Sequence, residues 1–273
     1  MPVRGAGLHR AKCQTMEFVN QFSFRHAVDL LRVLVSRDLK IRYKRSFLGM
    51  AWSLLNPLLQ LLVFRSVFRF LLPLNIASYT LFLFSGILVW TWFQSSWMGA
   101  TNCIVENAGL IRQPGFPAAV LPLVTITSNL FHFVLALPVL LAASLLSGHR
   151  AGALWMLPLI MAVQFAFTSG VSYLTASLHV RFRDTQHLLG IVLLLGFYLV
   201  PIFYSVASVP PRLQPYYRLN PMVHILEAYR AVLLTGGMPA WKPLVSVAAL
   251  SAVLLCAAVG IFVRSSHAFV EEL

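Results

Sequence analysis

Side chains that could do chemistry are few and widely spaced in this sequence. The chain has only eight acidic residues, and none of them falls in the middle of a long apolar segment. An enzyme embedded in a membrane needs ionisable groups gathered at one depth, yet His132 is the one histidine well inside such a segment. A lone histidine there more often hydrogen-bonds between helices than catalyses. The sequence also lacks HExxH, GxSxG and a pair of carboxylates at a helical repeat. It therefore disfavours catalysis within a membrane.

Motifs that supply energy or hold a metal are missing as well. No GxxxxGK[ST] phosphate loop occurs, so the chain cannot hold ATP in that manner by itself. Carriers coupled to protons or sodium need buried carboxylates or broken helices at the membrane midplane, and the absence of such features here argues against a secondary transporter. The three cysteines are far apart and form neither a CxxC pair nor a metal-ligand spacing. We therefore expect no cofactor in this chain, and the energy for any active transport must come from another polypeptide.

Two charged loops remain as candidates for receiving that energy. Residues 107–114 (NAGLIRQP) could form a short helix that stands out of the membrane, and residues 181–186 (RFRDTQ) form a compact charged cluster. An ordinary solvated connection explains either loop alone equally well. Whether they are coupling elements or solvated connections therefore depends on the helices that position them.

Composition and charge indicate that those elements cross a membrane. The chain is 59% hydrophobic and 11% charged, whereas a soluble domain is about 25% charged. Residues 1–45 hold ten of the 21 Lys and Arg residues and precede the first long apolar run. Basic residues in that position keep the N-terminus in the cytoplasm. The net charge of +13 follows from this bias and from attraction to anionic head groups, so no nucleic acid partner is expected.

The predicted fold is an all-α integral membrane protein of the plasma (inner) membrane with six transmembrane helices and both termini in the cytoplasm. Residues 1–23 form an N-terminal tail, residues 24–45 a cytoplasmic interfacial amphipathic helix, residues 46–264 the membrane domain and residues 265–273 a cytoplasmic tail. Three ion pairs are possible within the interfacial helix, Arg25–Asp29, Asp29–Arg32 and Asp38–Arg42. The helix serves as a simple anchor or also as a docking surface. The predicted spans are 47–72, 79–98, 118–146, 154–178, 188–204 and 244–263.

Residues 205–239 interrupt the pattern of spans. This region contains five prolines, with Pro201 just ahead of it. The stretch 222–234 has a helical period but is too short to cross about 30 Å of hydrocarbon at 1.5 Å per residue. We therefore predict short re-entrant helices between spans 5 and 6, sheltered by protein on the outer side.

Aromatic residues concentrate in two places. They could form an interfacial aromatic belt, but those of span 2 are deeper than a belt requires. Aromatic faces also pack against the apolar C–H patches of sugar rings, so a conduit for a glycan is the second interpretation. The residues are Trp90, Trp92, Phe93 and Trp97 in the first group, and Phe197, Tyr198, Phe203 and Tyr204 in the second.

The order of several segments resembles the membrane subunits of type-2 ABC exporters for surface polysaccharides, the family that exports O-antigen, capsule or teichoic acid. The resemblance covers most of the chain from residue 37 onward. The matching segments are RDLKIRYKRSFLGMAWSLLNPLLQ at 37–60, FSGILVWTWF at 84–93, NAGLIRQPGFPAAVLPL at 107–123, VRFRDTQHLL at 180–189, PIFYSVASVP at 201–210, an LNP–YR pattern at 219–230 and FVEEL at the C-terminus.

The resemblance implies a homodimer that works with two copies of a separate ATPase, which binds ATP and Mg. It implies an ATPase contact at Asn107, Arg112, Gln113, Arg181, Arg183 and Asp184. It also implies that spans 1 and 5 line a glycan conduit, with Trp52, Phe197 and Tyr204 in its wall. The other residues of the predicted aromatic lining are Trp90, Trp92, Phe93, Tyr198 and Phe203. The outer cap would be an external gate with Asn220, Glu227, Tyr229 and Arg230. One departure is Gln113-Pro114, where a more basic pair is expected.

Three other interpretations remain open at this point. The same architecture could export a drug, a lipid or a haem-like molecule. A membrane-embedded transferase that acts on a polyprenyl-linked sugar would need one essential acid or histidine and no ATPase. A purely structural assembly subunit is the fourth interpretation.

Overall fold

The structure is a computed structural model that describes residues 24–44, 51–70, 78–148 and 152–273. Within these ranges it is all-helical, which confirms the predicted fold class at that level. The N-terminal tail, parts of span 1 and the connections before spans 2 and 4 lie outside the described residues. The helices are α1 (Phe24–Tyr43), α2 (Trp52–Phe70), α3 (Tyr79–Glu106), α4 (Ala108–Ile111), α5 (Val120–Leu146), α6 (Leu157–Arg181), α7 (Thr185–Leu199), α8 (Gln214–Tyr217), α9 (Pro221–Arg230), α10 (Trp241–Ser266) and α11 (Phe269–Glu272).

Three helical stretches are long and apolar enough to cross a membrane. They are Val120–Leu146, Leu154–Arg181 and Trp241–Ser266, while Leu55–Val67 and Thr185–Leu199 are shorter apolar helices. The 15 residues of α7 extend about 22 Å at 1.5 Å per residue, less than the roughly 30 Å of hydrocarbon. A helix α7 that begins at one membrane surface would therefore end before it reaches the opposite surface, and the segment after α7 would start within the membrane.

Close packing between the long helices depends on small residues. A Cβ atom on Gly170 of α6 would lie 2.9 Å from Cγ of Leu254 in α10, and one on Gly99 of α3 would lie 2.8 Å from Cγ2 of Thr125 in α5. Small residues at such crossings let helix backbones approach closely, as is usual in membrane bundles. The glycines thus fix α6 against α10 and α3 against α5.

Buried polar side chains add hydrogen bonds between these helices. Nε2 of Gln164 in α6 donates to the Val89 carbonyl of α3 at 3.1 Å. The Trp97 indole donates to Oγ1 of Thr175 at 3.1 Å, and the hydroxyls of Thr175 and Thr101 lie 2.7 Å apart. Each bond satisfies a polar group that would be costly to bury alone. Together they keep α3 and α6 in register.

The helix α1 packs along the first part of α5. Leu34 is buried against Val120 and Val124. Of the three possible ion pairs, Asp38–Arg42 is confirmed, with Nε of Arg42 2.9 Å from Oδ2 of Asp38. Arg42 also donates through Nη1 to Oδ1 of Asn129 at 3.3 Å. The amphipathic helix is therefore attached to the bundle by both apolar and polar contacts.

The largest differences between helix ends and predicted span ends are at two positions. The helix α3 continues to Glu106, beyond the predicted span end at residue 98, because Thr101 bonds within the bundle instead of facing solvent. The helix α7 ends at Leu199, although span 5 was predicted to reach residue 204. The cause is Pro201, since the residue before a proline avoids the helical conformation.

Candidate functional site

One end of the bundle, called here the lower end, gathers the three segments that were predicted to be internal. The helices α3, α6 and α10 finish at this end, and α5 begins there. Apolar side chains from all of them, together with α4 and α11, form one buried cluster. The buried members are Cys103, Ile104, Ile111, Ala118, Leu121, Tyr173, Ala176, Val180, Ala258, Phe262 and Phe269. The two charged loops are thus fixed to one common core.

The first loop at the lower end is built around the short helix α4. Asn107 donates through Nδ2 to the Cys103 carbonyl at 2.8 Å, and its own carbonyl accepts from the Ile111 amide at 3.2 Å. Ile111 is buried in the cluster, whereas Arg112 and Gln113 are exposed. The loop therefore presents one charged and one amide side chain from a firmly anchored turn.

The second loop is a tight turn between α6 and α7. The Thr185 hydroxyl donates to the Phe182 carbonyl at 2.6 Å, and the Thr185 amide donates to the same oxygen at 3.0 Å. Arg183 and Asp184 are exposed at the turn. Arg181 pairs through Nε with Oε1 of Glu272 at 3.2 Å. All six residues predicted to contact the ATPase therefore lie at the lower end. Five of them are exposed there, and Asn107 is partly buried.

Most of the predicted conduit aromatics pack into a continuous row inside the bundle. Ring centroids are 5.4 Å apart for Trp90 and Phe93, 6.2 Å for Trp90 and Phe197, and 5.0 Å for Phe197 and Phe203. Phe64 of α2 joins the row at 5.3 Å from Phe203. Trp90, Phe93 and Phe203 are buried within the single chain. They therefore join α2, α3 and α7 as packing residues in this arrangement.

Two predicted wall residues, Trp52 and Trp92, lie beside a cavity of about 250 Å³ instead. Trp52 is 44% exposed and Trp92 is 3% exposed. Half of the lining residues are polar and come from α1, α2, α3 and α5, and Pro57, Leu88, Phe133 and Ala136 are the other apolar ones. The polar residues are Arg42, Asn56, Thr91, Ser95, Asn129 and His132. The cavity is thus more polar than the row of aromatics.

The opposite end of the bundle, called here the upper end, holds the external residues of the sequence-based prediction. Arg230 of α9 is buried and donates to the carbonyls of Pro201 at 2.6 Å, Ile202 at 2.8 Å and Phe82 at 3.3 Å. Its guanidinium carbon lies 3.4 Å from the centroid of the Phe82 ring. This one side chain therefore joins the start of α3, the end of α7 and α9.

The Arg230 cation is held by carbonyl dipoles and an aromatic face. Among the ion pairs of the described residues, none includes Arg230. Burial lowers the pKa of Arg230 to about 9, with the charge of Glu227 acting in the opposite direction. The side chain is therefore still a cation at neutral pH, and its three acceptors receive charge-assisted hydrogen bonds.

The other residues of the predicted gate belong to α9 or its start. Asn220 caps the helix by accepting from the Met222 amide at 3.0 Å. Tyr229 is fully buried, with its ring 5.8 Å from that of Phe133. Glu227 is exposed, and one of its carboxylate oxygens lies 4.0 Å from Nδ1 of His224. Nearby Tyr204 shares a 2.8 Å hydrogen bond with Tyr217, while Tyr198 is exposed.

Sequence reasoning missed the partners of Arg181 and Arg230. Glu272 and Phe269 belong to the FVEEL segment, whose aromatic and acidic residues after a long apolar helix were a usable signal. Phe82 lies 148 residues from Arg230, and no local pattern could link the two. Among the described residues, no group of three His, Cys, Asp or Glu side chains could hold a metal ion.

Comparison with known proteins identifies the family of this architecture. The profile of the family described as "ABC-2 type transporter" matches residues 29–234. The chain is 36% identical over 247 residues to the O-antigen export system permease protein RfbA of Myxococcus xanthus, covering 89% of this chain and 95% of that protein. A protein of the same description from Klebsiella pneumoniae is 32% identical over 223 residues, covering 81% and 86%. The polysialic acid transport protein KpsM of Escherichia coli is 22% identical over 214 residues, covering 76% and 81%. The chain therefore belongs to the ABC-2 type transporter family.

Proposed function

We propose that this chain is the permease subunit of an ATP-driven exporter that moves a polysaccharide, in the form of a lipid-linked O-antigen-type glycan, out of the cytoplasm. The observation that carries the proposal is the match to the permease of Myxococcus xanthus over 95% of that protein. The lack of a phosphate loop in this chain fits a division of labour in which a separate ATPase binds ATP and Mg. The chain itself supplies a path and a gate.

The proposed topology has six spans, with both termini in the cytoplasm. The lower end carries the loops at 107–113 and 181–184 and the C-terminal segment, and it would face the cytoplasm. The upper end with α8 and α9 would face outward. Ten Lys and Arg residues within residues 1–45 support this orientation.

The proposed assembly is a homodimer with two ATPase subunits. Long apolar side chains of α2 and α7 are exposed in the single chain, among them Leu59, Leu62, Leu188, Ile191 and Leu195. Such a face needs lipid or a second copy against it. The mass of the complex in nanodiscs tests the stoichiometry, and a monomeric permease would contradict it.

ATP binding would act through the two loops at the lower end. Closure of the ATPase pair would displace Arg112 and Gln113 on α4 and Arg183 and Asp184 on the turn before α7. Since α7 begins at Thr185, a shift of that turn moves the inner end of α7 directly. The path for the glycan would open beside α2 and α7.

Deletion of the gene, with separate measurement of glycan inside cells and at the surface, tests the proposed function. Accumulation inside with a depleted surface, reversed by the wild-type gene, is the expected result. Unchanged glycan in both fractions would contradict the proposal and favour a drug, lipid or haem-like cargo. Loss of glycan from both fractions would also contradict it and favour a transferase.

A further inference from the structure

The C-terminal segment folds back onto the lower end of the bundle. A turn after α10, closed by the Ala268 amide donating to the Ser265 carbonyl at 3.0 Å, directs Phe269 inward. Phe269 is 1% exposed, and its ring lies 5.2 Å edge-on from that of Phe262. A helix of four residues is unstable by itself in water. The burial of Phe269 therefore determines where α11 lies.

The buried ring of Phe269 belongs to a row of aromatic contacts that begins deep in the bundle. Phe262 is fully buried and lies 5.1 Å from the ring of Tyr173 in α6. The Tyr173 hydroxyl in turn donates to the Ala119 carbonyl just before α5. The position of α11 is thus fixed by rigid helices and not by solvent-exposed chain.

The short helix α11 contacts both loops that carry the predicted ATPase contact. Ile111 of α4 shares the buried cluster with Phe269, and Leu110 and Leu273 pack against it. Glu272 forms the 3.2 Å pair with Arg181 at the end of α6, 91 residues away in sequence. One terminal segment therefore contacts two loops that are remote from each other in the chain.

The two contacts of α11 have different physical consequences. Phe269 supplies the apolar area that holds α11 beneath α4, so its removal changes the position of a whole element. The Arg181–Glu272 pair is partly exposed, with side chains 61% and 30% accessible, and such pairs add little stability. The pair instead determines the direction in which the Arg181 side chain points.

We propose that α11 positions the surface that receives the ATPase, with Phe269 holding α4 in place and Glu272 orienting Arg181. This inference rests on the proposed function. Both are positioning residues, which need not touch the ATPase themselves. A well-positioned surface converts movement of the ATPase into movement of α4 and α7, whereas a loose one lets the ATPase hydrolyse ATP without moving them.

The test is the amount of glycan exported per ATP hydrolysed, measured with the complete permease–ATPase complex in vesicles. Phe269→Ala should lower this ratio about tenfold, since loss of a buried aromatic side chain shifts such a packing equilibrium by at least that factor. Phe269→Leu should restore it to within about twofold, because volume-conserving apolar changes are tolerated best. His267→Ala, at an exposed residue of the same segment, is the matched control and should leave the ratio unchanged.

Charge reversal tests the orienting role separately. Arg181→Glu and Glu272→Arg should each lower the ratio about threefold, in line with the modest strength of an exposed pair, while the ATPase still co-purifies. The double variant Arg181→Glu/Glu272→Arg should recover most of the loss. A merely structural defect would not be rescued in this way.

Two results would overturn the proposal. The first is a wild-type ratio for Phe269→Ala at normal permease level. The second is a double charge-reversal variant as defective as the single variants, which remains decisive if Phe269→Ala fails to accumulate. An absence of export by the wild type would by itself contradict only the proposed function.

Discussion

Replacement of Arg230 is the perturbation for which the structure gives the sharpest expectation. The guanidinium donates three hydrogen bonds to the carbonyls of Pro201, Ile202 and Phe82, and it covers the Phe82 ring at 3.4 Å. Loss of a hydrogen bond to a charged group costs about 1.5–3 kcal/mol, and a buried cation–π contact contributes about 2 kcal/mol. These terms are offset in part because burying the charge is itself costly.

The net destabilisation expected for Arg230→Met is about 3–5 kcal/mol, in the range of a broken buried polar network. Arg230→Lys retains the cation but loses the fork of donors, so about half of this cost is expected. For a chain of this length, 1 kcal/mol corresponds to about 2–4 °C in Tm. Arg230→Met should therefore lower Tm by about 6–20 °C.

Thermal unfolding of the purified permease in detergent, followed by tryptophan fluorescence, measures this change. Arg212→Lys, at an exposed position of the segment between α7 and α9, is the matched control and should leave Tm unchanged. If Arg230→Met unfolds at the wild-type temperature, Arg230 does not hold α3, α7 and α9 together. If Arg230→Lys matches Arg230→Met, the fork geometry accounts for the whole effect.

Three further predictions concern packing, coupling and the conduit. Gly86→Ala would bring a Cβ atom 3.0 Å from Nη2 of Arg230 and should lower the free energy of unfolding by about 1–3 kcal/mol. Its control is Gly260→Ala, where a Cβ atom would have nothing within 4 Å, and this change should be neutral or stabilising by up to about 1 kcal/mol. Thermal unfolding midpoints check both variants. Asp184→Ala should leave membrane insertion intact and lower glycan export, so normal export at normal protein level would contradict a coupling role. Trp52→Ala, at a half-exposed side chain, should alter export more than Tm, whereas Trp90→Ala should cost about 3–5 kcal/mol because that ring is packed on all sides.

The sequence predicted the long apolar helices well because hydropathy and length decide them. The predicted span 118–146 corresponds to Val120–Leu146, and the predicted span 244–263 lies within Trp241–Ser266. Most residues of these segments are apolar, so the alternative of an exposed loop is too costly in lipid. The ends of such helices are also marked by charged residues and prolines.

Polar residues inside the bundle limited the prediction of helix ends. Span 2 was predicted to end at residue 98, but the helix continues past Thr101, whose hydroxyl bonds to the Trp97 carbonyl at 2.8 Å and lies beside that of Thr175. A polar side chain that finds its partner on another helix does not terminate its own helix. Periodicity along one segment carries no information about such partners.

The contacts that the candidate site residues make with distant parts of the chain were the feature least predictable from the sequence. Arg230 was predicted as part of an external gate, but its contacts with Phe82 and Ile202 join segments 148 and 28 residues away. The same holds for Arg181 and Glu272. A resemblance to a family indicates which residues matter, whereas only the fold indicates what each of them touches.

The helix α7 connects the two ends of the bundle in a way that suits it to transmit motion. At the lower end it begins directly after the exposed Asp184, and at the upper end the carbonyls of Pro201 and Ile202 are held by Arg230. Within α7 only Thr185, Leu189 and Leu193 are buried, whereas residues 81–90 of α3 are buried without interruption. A helix that contacts the bundle only through a narrow stripe of buried residues can tilt at a low cost in packing energy, whereas a helix that is buried on all sides cannot. A displacement of the turn at Asp184 should therefore tilt α7 about its upper end, which is held by Arg230, while α3 stays in place as the support.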